Sequence, residues 1–272
     1  MRERSTGSYN DITEGLPSRL QLSTHKDTYR KLREVIYLLD MKYSGIKYTG
    51  LEELDPFSLY ATQSVLESDK LGLVLYLVLF KNYDVPIIVV RNNRGEHFII
   101  DGHHRARVYV WLRRKIRAHI IYVPAYKPRL SKPVCITEVI NPPTGTPEKL
   151  IPLRHIVNTI FFLEATHGII ARVWREKIPI TRLKPTQLPS KTGTSLRHKS
   201  FLPILVYDYL GSKYVIDGHK RTCTALSLGL KSIDAIVFTL HTYIGLIRAS
   251  ERIGYNMFNN EYCSVSTPIG LM

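Results

Sequence analysis

One pattern of residues occurs twice in this chain, and the repeat limits the folds that the sequence can adopt. The first copy runs from Pro86 to Arg105 and reads PIIVV, followed by a turn and FIIDGHHR. The second copy runs from Pro203 to Arg221 and reads PILV, followed by a turn and YVIDGHKR. Similar segments in the same order indicate two copies of one structural unit rather than a chance match.

The match continues on both sides of this pattern. Upstream, LDP and a later Thr-Gln pair at Thr62-Gln63 correspond to LKPTQ at Leu183–Gln187. Downstream, a helix-compatible stretch leads in each copy to an apolar strand, at residues 118–123 and 233–238. The β-branched residues predict a two-stranded hairpin in each copy, and the Asp-Gly pair ends its second strand.

Three helices are predicted outside the hairpins. Residues 25–41 place apolar side chains on one face, residues 65–80 are helical despite a glycine, and residues 148–176 form a long amphipathic helix. In the second copy, the stretch that corresponds to 65–80 is predicted as a loop, because it contains Pro189 and Gly193. Prolines are frequent from 124 to 147, which predicts a connector there.

We therefore expect an α/β (α+β) protein built from two related units. Residues 1–45 form an N-terminal flexible segment and helix, and residues 46–126 form the first unit. Residues 127–177 form the connector and long helix, residues 178–240 the second unit, and residues 241–272 a C-terminal segment. A chain of 272 residues accommodates two small domains of this kind.

The charge balance indicates an anionic partner. The chain has 38 Lys and Arg against 23 Asp and Glu, a net charge of +15. Nucleic acid, a phosphorylated small molecule and an acidic surface are all compatible with this excess. The densest basic regions, 113–117 and 127–132, fit a nucleic-acid track as well as they fit a solvated helix end and connector.

The sequence predicts neither a membrane span nor a secreted protein. No apolar run reaches the roughly 18 residues of a membrane helix, and the polar first residues lack a signal-peptide pattern. Cys135, Cys223 and Cys263 are far apart and predict neither a disulfide framework nor a zinc site. We therefore expect a cytoplasmic protein.

The Asp-Gly-His motif places polar groups where a helix begins. A helix N-terminus favours anions, and phosphate in particular, because its first N–H groups lack partners. The glycine of each copy allows a positive φ or a close backbone approach, and the arginine offers fork-shaped donors that suit phosphate oxygens. The aspartate is a candidate for a Mg²⁺ ligand, a base or a helix cap.

The same motif resembles the ParB/sulfiredoxin superfamily over residues 51–126 and again over 180–238. Sulfiredoxins carry a reactive Cys where this chain has His103 and His219, which excludes their chemistry. Chromosome-partitioning ParB proteins use Gly-Glu-Arg-Arg and continue into a helix-turn-helix domain, and this chain shows neither. The resemblance implies two ParB/sulfiredoxin-like units joined by a Pro-rich connector and a long helix.

Free serine kinases of this superfamily are the most similar in motif, because residues 101–105 match their Asp-Gly-His-His-Arg fully. A second similarity is the aromatic-x-Pro-Ala-aromatic stretch at Tyr122 to Tyr126. The resemblance implies a kinase that uses ATP or ADP with Mg²⁺ and phosphorylates L-serine or a similar small hydroxyl acceptor. Asp101 and His104 would be catalytic, and Gln63, Asp69 and Tyr122 would bind the substrate. The residues expected to bind phosphate or nucleotide are Gly102, His103, Arg105, Asp217, Gly218, His219, Lys220 and Arg221.

One departure from the kinase pattern leaves alternatives open. The kinases have a His-Glu pair where this chain has Thr62-Gln63, and a Gln cannot accept a proton as a base. Glu67 or Asp69 could substitute, or Asp101 alone could serve. The second copy either adds phosphate contacts to a shared site or is inactive. The rival hypothesis is a non-catalytic nucleotide- or DNA-binding protein, which the positive charge favours.

Overall fold

The computed structural model describes residues 10–142, 145–188 and 202–264. The chain divides into two compact units, residues 1–163 and 164–272. Helices and β-sheets are both present in each unit, so the predicted α/β class is confirmed. The predicted loop around Pro189 and Gly193 and the first nine residues lie outside the described residues.

The first unit begins with helices α1 and α2 and continues through the first copy of the repeat to helix α5. Its elements are α1 (Asn10–Thr13), α2 (His25–Asp40), β1 (Lys47–Leu54), β2 (Leu59–Ala61), β3 (Val65–Glu67), α3 (Ser68–Phe80), β4 (Ile87–Arg91), β5 (His97–Asp101), α4 (His103–Leu112), β6 (Ile116–Tyr122), β7 (Lys132–Pro133), β8 (Glu138–Ile140) and α5 (Ile151–His167), whose last turn crosses into the second unit.

The second unit contains the second copy of the repeat and the C-terminal helices. Its remaining elements are β9 (Arg172–Pro179), β10 (Leu183–Pro185), β11 (Ile204–Tyr209), β12 (Ser212–Asp217), α6 (His219–Ser227), β13 (Ser232–Thr239), α7 (Gly245–Arg252) and α8 (Asn260–Ser264). Short 3₁₀ turns lie at Ser18–Leu20, Pro56–Ser58, Val134–Ile136, Glu148–Leu150 and Ile180–Arg182.

The two main sheets share one strand order. In the first unit the order is β1-β6-β4-β5-β2-β7, and in the second it is β9-β13-β11-β12-β10. The hairpin strands β4 and β5, like β11 and β12, are antiparallel, whereas β4–β6 and β11–β13 are parallel. Each hairpin also has a register shift at the same place, between Ile88 and Val89 and between Leu205 and Val206. The repeat in the sequence therefore corresponds to a repeat of strand order and register.

Burial explains why the apolar segments form these elements. The four residues from Ile87 to Val90 on β4 are fully buried, as expected for a central strand that is covered on both faces. Helix α3 is also apolar nearly all round and is buried in the first unit. Its Gly72 approaches the backbone of Leu153 on α5 so closely that a Cβ atom would lie 2.8 Å from the carbonyl oxygen. The glycine that weakened the helix prediction is thus required for helix packing.

The predicted long helix over 148–176 is wrong. Helix α5 ends at His167, where Gly168 has a φ of 66° and provides the left-handed residue that commonly follows a helix. Residues 172–179 then form strand β9, which pairs antiparallel with β13 along its whole length. The helix predicted over 65–80 also began too early, since Val65–Glu67 is a strand that pairs with β8 and helix α3 starts at Ser68.

The absence of a disulfide was also predicted wrongly. Cys223 on α6 and Cys263 on α8 are joined by a disulfide, with an S–S distance of 2.13 Å, while Cys135 is free. Helix α8 folds back onto α6 and buries Tyr262 completely. A separation of 40 residues concealed this pairing, because only the tertiary structure brings the two helices together.

Part of the N-terminal segment that was predicted as flexible is packed in the structure. Leu20 is fully buried, and Arg19 forms ion pairs with Glu67 at 2.9 Å and Asp69 at 3.1 Å. The predicted helix that follows is confirmed as α2, which has a capping box formed by Thr24 and Asp27. Within the described ranges, none of the helices has the length and apolar character needed to cross a membrane.

We expect loss of the disulfide to destabilise the second unit. Opening a cross-link that spans 40 residues releases chain entropy in the unfolded state worth roughly 3–4 kcal/mol. Urea denaturation of the Cys263→Ser variant, or of the protein with a dithiol reductant, should therefore show a transition at lower urea. Cys135→Ser is the matched control and should leave the transition unchanged. Equal stability of Cys263→Ser and the unaltered protein would contradict this role of the disulfide.

Candidate functional site

The repeated motif forms the same tight corner in both units. Strand β5 ends at Asp101, and Gly102 then takes a φ of 99° directly before α4. Gly218 takes a φ of 104° at the equivalent point before α6. A Cβ atom on either glycine would collide with the side chain behind it, Ile87 in the first unit and Ile204 in the second. Only glycine meets both the φ requirement and the space requirement.

An arginine, buried in the first unit and partly buried in the second, connects each corner to the start of the hairpin. The Nη1 atom of Arg105 donates to the carbonyl oxygens of Val85 at 3.1 Å and Pro86 at 2.8 Å, and Nη2 donates to Asp101 at 2.6 Å. These contacts make the arginine a structural element of the corner. The prediction that Arg105 and Arg221 contact phosphate is not tested by these contacts and stays a prediction.

Arg221 repeats this arrangement in the second unit. Its Nη1 atom donates to the carbonyl oxygens of Leu202 at 3.0 Å and Pro203 at 2.6 Å, and Nη2 donates to Asp217 at 2.7 Å. The same donors therefore reach the same acceptors in both copies of the motif.

The first motif histidine is held by the threonine of the Thr-Gln pair. In the first unit, the backbone N–H of Thr62 donates to Nε2 of His103 at 3.2 Å, and the Thr62 hydroxyl donates to the carbonyl of Ile99 at 2.7 Å. An Nε2 atom that accepts a hydrogen bond places the ring proton on Nδ1. Burial lowers the pKa of His103 to about 4, so the ring is neutral at pH 7.

His219 is held in the same way in the second unit. The backbone N–H of Thr186 donates to its Nε2 at 3.1 Å, and the Thr186 hydroxyl donates to Val215 at 2.6 Å. Burial again lowers the pKa of the histidine to about 4. Among the described residues, Nδ1 of His219 has no hydrogen-bond partner. The threonine of the Thr-Gln pair therefore has the same structural role in both copies.

The second motif histidine differs between the units. Nε2 of His104 accepts the backbone N–H of Glu67 at 3.1 Å, and burial lowers the pKa of this histidine to about 3. The second unit has the exposed Lys220 at this position. The two copies therefore share one corner but present different groups on the helix.

A cavity of about 220 Å³ opens beside the motif of the first unit. Segments from before the repeat, from α2, from α3 and from the motif itself all contribute to it. Its lining consists of Leu22, Ser23, Lys31, Gln63, Lys70, Val74, Tyr83, Ile100, Asp101, Gly102, His103, His104 and Arg105. The motif is thus one wall of a cavity that residues outside the motif complete.

The carboxylate of Asp101 is held between two cations. Its Oδ2 faces Arg105, and its Oδ1 lies 2.5 Å from Nζ of Lys31 on α2. Burial alone would raise the pKa of this carboxyl, but the charges of Arg105 and Lys31 outweigh burial and hold the pKa below its ordinary value. Asp101 is therefore ionised at neutral pH and is a weak base.

Lys70, in the first turn of α3, is the other cation of the cavity wall. Burial lowers the pKa of its ammonium group, against the opposing attraction of Asp101 and Glu67. Across residues 10–142, 145–188 and 202–264, no carboxylate lies within ion-pair distance of Lys70. A partly buried cation without a counter-ion favours an anionic ligand.

The predicted substrate residues are only partly brought together. Gln63 lines the cavity, and its amide nitrogen donates to the carbonyl of Val65 at 3.2 Å. Tyr122, at the end of β6, is not part of the lining. Tyr122 as a substrate contact therefore has no support from the described geometry.

Asp69 occupies a different environment from the one predicted. Its side chain is fully buried and paired with Arg19 and with Arg154, whose Nε lies 2.7 Å from Oδ1, and it accepts a hydrogen bond from Thr146. The carboxylate therefore anchors α3 to two other segments and does not line the cavity. This placement does not favour Asp69 as a base, because its oxygens contact Arg19 and Arg154.

Lys31 and Lys70 are the site residues that sequence reasoning missed. Lys70 is the one cation of helix α3 and directly precedes its apolar stretch LGLVLYLVLF, so the sequence did distinguish it. Lys31 had no distinguishing signal, because α2 carries several exposed cations at its surface. Contact with Asp101, 70 residues away, sets Lys31 apart from those neighbours.

The cavity fits Mg²⁺ only as an ion that a nucleotide carries. In the described part of the chain, no group of three or more His, Cys, Asp or Glu side chains is arranged to hold a metal. Asp101 is the one carboxylate among the cavity-lining residues that the structure describes, and both of its oxygens contact cations. Mg²⁺ commonly binds through one or two carboxylates together with substrate phosphates, which this donor set allows.

Comparisons with known proteins add one relative. A comparison with models of known protein families finds no match. An uncharacterised protein of Methanocaldococcus jannaschii is 34% identical over 107 residues, a match that spans 38% of this chain and 38% of the relative. The chain therefore covers well under half of that relative's length. Neither comparison tests the resemblance to the ParB/sulfiredoxin superfamily, which stays a prediction.

We expect Gly102→Ala to destabilise the protein more than Gly95→Ala. Both glycines have positive φ, but a Cβ atom at Gly95 meets nothing within 4 Å, whereas one at Gly102 meets Ile87. The backbone cost of about 1 kcal/mol is common to both variants, and the collision adds about 1–3 kcal/mol to Gly102→Ala alone. Urea denaturation measures the difference. Equal losses in the two variants would show that the close packing at the corner is not required.

The buried histidines should make stability depend on pH. The folded-state pKa values of His103, His104 and His219 lie near 4, 3 and 4, below the ordinary value of 6.5. As the pH falls below about 6.5, the unfolded chain takes up protons that the folded chain does not, so the free energy of unfolding decreases down to about pH 4.

Replacing His104 by Gln keeps an acceptor for the Glu67 N–H and removes one of these groups. The decrease should then become shallower by up to about 1.4 kcal/mol per pH unit. Urea titrations between neutral pH and about pH 4.5 measure the slope, and the exposed His155→Gln is the matched control. An unchanged slope in His104→Gln would refute the assignment of His104 as a histidine that stays neutral in the folded protein.

Proposed function

We propose that the cavity of the first unit binds the phosphates of a nucleotide and supports phosphoryl transfer to a small hydroxyl acceptor. The observation that carries this proposal is Lys70, a partly buried cation that lines the cavity and has no counter-ion within ion-pair distance among the described residues. A ligand phosphate would supply the missing negative charge. The protein would then be a nucleotide-dependent small-molecule kinase that resembles free serine kinases.

The groups around Lys70 suit a phosphate. Helix α4 begins at the cavity wall, and its first N–H groups and its dipole favour an anion. Lys31 adds a second ammonium group, so the cations of the lining outnumber its one described carboxylate. Neutral His103 and His104 would offer Nδ1–H donors, because their Nε2 atoms accept backbone hydrogen bonds.

Asp101 is the residue that would receive the acceptor hydroxyl. Its lowered pKa makes it a weak base, but phosphoryl transfer through a loose transition state depends mainly on positioning and charge stabilisation. An ionised carboxylate held by Arg105 can accept a hydrogen bond from a hydroxyl and orient it toward the phosphate. Gln63, which also lines the cavity, would contact the same acceptor.

The size of the cavity limits what it can enclose. A volume of about 220 Å³ holds terminal phosphates or a small acceptor such as L-serine, but not a whole nucleoside triphosphate. ATP or ADP would therefore extend out of the cavity, and Mg²⁺ bound to its phosphates would neutralise part of their charge. A cytoplasmic location, where these nucleotides are abundant, belongs to the same proposal.

A non-catalytic nucleotide- or DNA-binding protein is the second candidate. The observations that favour it are the net charge of +15 and the Gln63 amide in place of a base. The exposed cations Arg114 and Lys115 after α4 would then contribute to a surface that attracts phosphate backbones. Binding through such a surface differs from binding in the cavity, because it depends on total charge rather than on Lys70.

The test combines a binding probe with an activity assay. Calorimetry with inorganic pyrophosphate should show binding that Lys70→Met weakens by about ten- to a hundredfold, since a charge-assisted contact is lost. Lys115→Met removes the same charge from an exposed site and is the matched control. Incubation with ATP or ADP, Mg²⁺ and a panel of free amino acids including L-serine should yield a phosphorylated amino acid, and Asp101→Asn should abolish the product.

The two candidate functions give different results. Equal loss of pyrophosphate affinity in Lys70→Met and Lys115→Met, with salt-dependent retention of DNA and no phosphorylated product, would favour the binding protein and exclude the kinase. Product formation that Asp101→Asn leaves unchanged would remove Asp101 from its proposed role.

A further inference from the structure

The two copies of the motif differ in what holds the aspartate. In both, the arginine four residues later contacts one carboxylate oxygen, at 2.6 Å in the first unit and 2.7 Å in the second. In the first unit alone, a second cation, Lys31, lies on the other oxygen at 2.5 Å. Among the described residues, Asp217 forms an ion pair with Arg221 and no other cation. The Asp217 side chain is correspondingly 40% exposed, against 15% for Asp101.

Lys31 comes from outside the repeat, on helix α2, which packs against the first sheet. Its neighbour Leu32 is buried in a cluster with Ile88, Val90, Ile121 and Val123, so α2 packs against the central strands of the first sheet. Tyr83 binds the carbonyl of Ser23 just before the helix, at 2.9 Å. Helix packing therefore delivers the ammonium group to Asp101, although the Lys31 side chain itself is 48% exposed.

The surroundings of Asp101 show what this contact does. Arg105 and His103 face the carboxylate from α4, Lys31 faces it from α2, and Lys70 acts on it from α3. With a cation on each oxygen, the carboxylate is fixed in orientation and stays ionised in a partly buried place. An ammonium group has three donors, so Lys31 can contact Asp101 and a bound phosphate together.

We propose that Lys31 is a positioning residue that orients Asp101 and keeps it ionised, and that it makes the first copy of the motif competent for phosphoryl transfer. This inference rests on the proposed function. It assigns the N-terminal helix a role in the site, although that helix lies outside the repeated unit. The second copy retains the motif corner, but the described residues place no second cation on its aspartate.

The experiment compares Lys31→Met with Lys31→Arg and with Lys26→Met, an exposed lysine on the same helix, in the full chain. Carbon-13 NMR follows the titration of the Asp101 side-chain carboxyl, assigned with Asp101→Asn. The carboxyl should titrate at higher pH in Lys31→Met, and Lys31→Arg should restore most of the original behaviour. Lys26→Met should match the unaltered protein.

The activity readout separates positioning from a structural role. In Lys31→Met, kcat for phosphoryl transfer should fall by about tenfold or more, and the acidic limb of the pH profile should move to higher pH. The free energy of unfolding should change little, because an ion pair with a half-exposed lysine contributes at most about 1 kcal/mol.

Each outcome bears on one proposal. An unchanged Asp101 titration in Lys31→Met overturns the role of Lys31, whether or not the protein transfers phosphate. A titration that moves and is restored by Lys31→Arg supports the hold on Asp101 even if no phosphorylated product is ever detected, and the missing product then counts against the proposed function alone. Active protein with a moved titration but an unchanged pH profile and kcat also overturns the role of Lys31.

Discussion

The corner between each hairpin and its motif helix depends on one buried guanidinium group. Arg105 binds the carbonyls of Val85 and Pro86 and the carboxylate of Asp101, and thereby joins the chain before β4 to the chain after β5. Hydrogen bonds to charged groups contribute about 1.5–3 kcal/mol each. Without the guanidinium, the two carbonyls would lose this hydrogen-bond partner and Asp101 would keep only Lys31 as a counter-ion, which is costly for partly buried polar groups. The histidine and threonine contacts are arranged around this corner, and the second unit repeats all of them.

The two units share the residues that build the corner and differ in the residues that surround it. Both units need glycine, arginine and threonine at the same places for reasons of φ, packing and hydrogen bonding. The cavity of the first unit is completed by Lys31 and Lys70, which the motif does not contain. Chemical roles are set by such additions to a fold rather than by the fold itself. The basic excess of the chain acquires a partial location here, since these two lysines lie at a cavity wall.

Local patterns predicted the hairpins, the Asp-Gly corner and helix α2 well, because turn residues and apolar periodicity act over a few neighbours. The errors have a common physical origin. Strand β9 was predicted as the end of the long helix over 148–176, whereas pairing with β13 makes it a strand. The disulfide was missed because its cysteines are 40 residues apart. Asp69 was named as a candidate base. Its enclosure by Arg19 and Arg154 was not predicted, because those contacts depend on long-range packing.

The sequence by itself determined that one structural unit occurs twice and that each copy turns at Asp-Gly into a helix, since glycine alone satisfies that backbone geometry. It also determined the positive net charge, on which the prediction of an anionic partner rests. Only the tertiary structure decided which polar groups face the cavity. Lys31 reaches Asp101 across 70 residues, and Asp69, one residue before the cavity-lining Lys70, is enclosed elsewhere. Such placements follow from how helices pack on a sheet, and no local pattern encodes them.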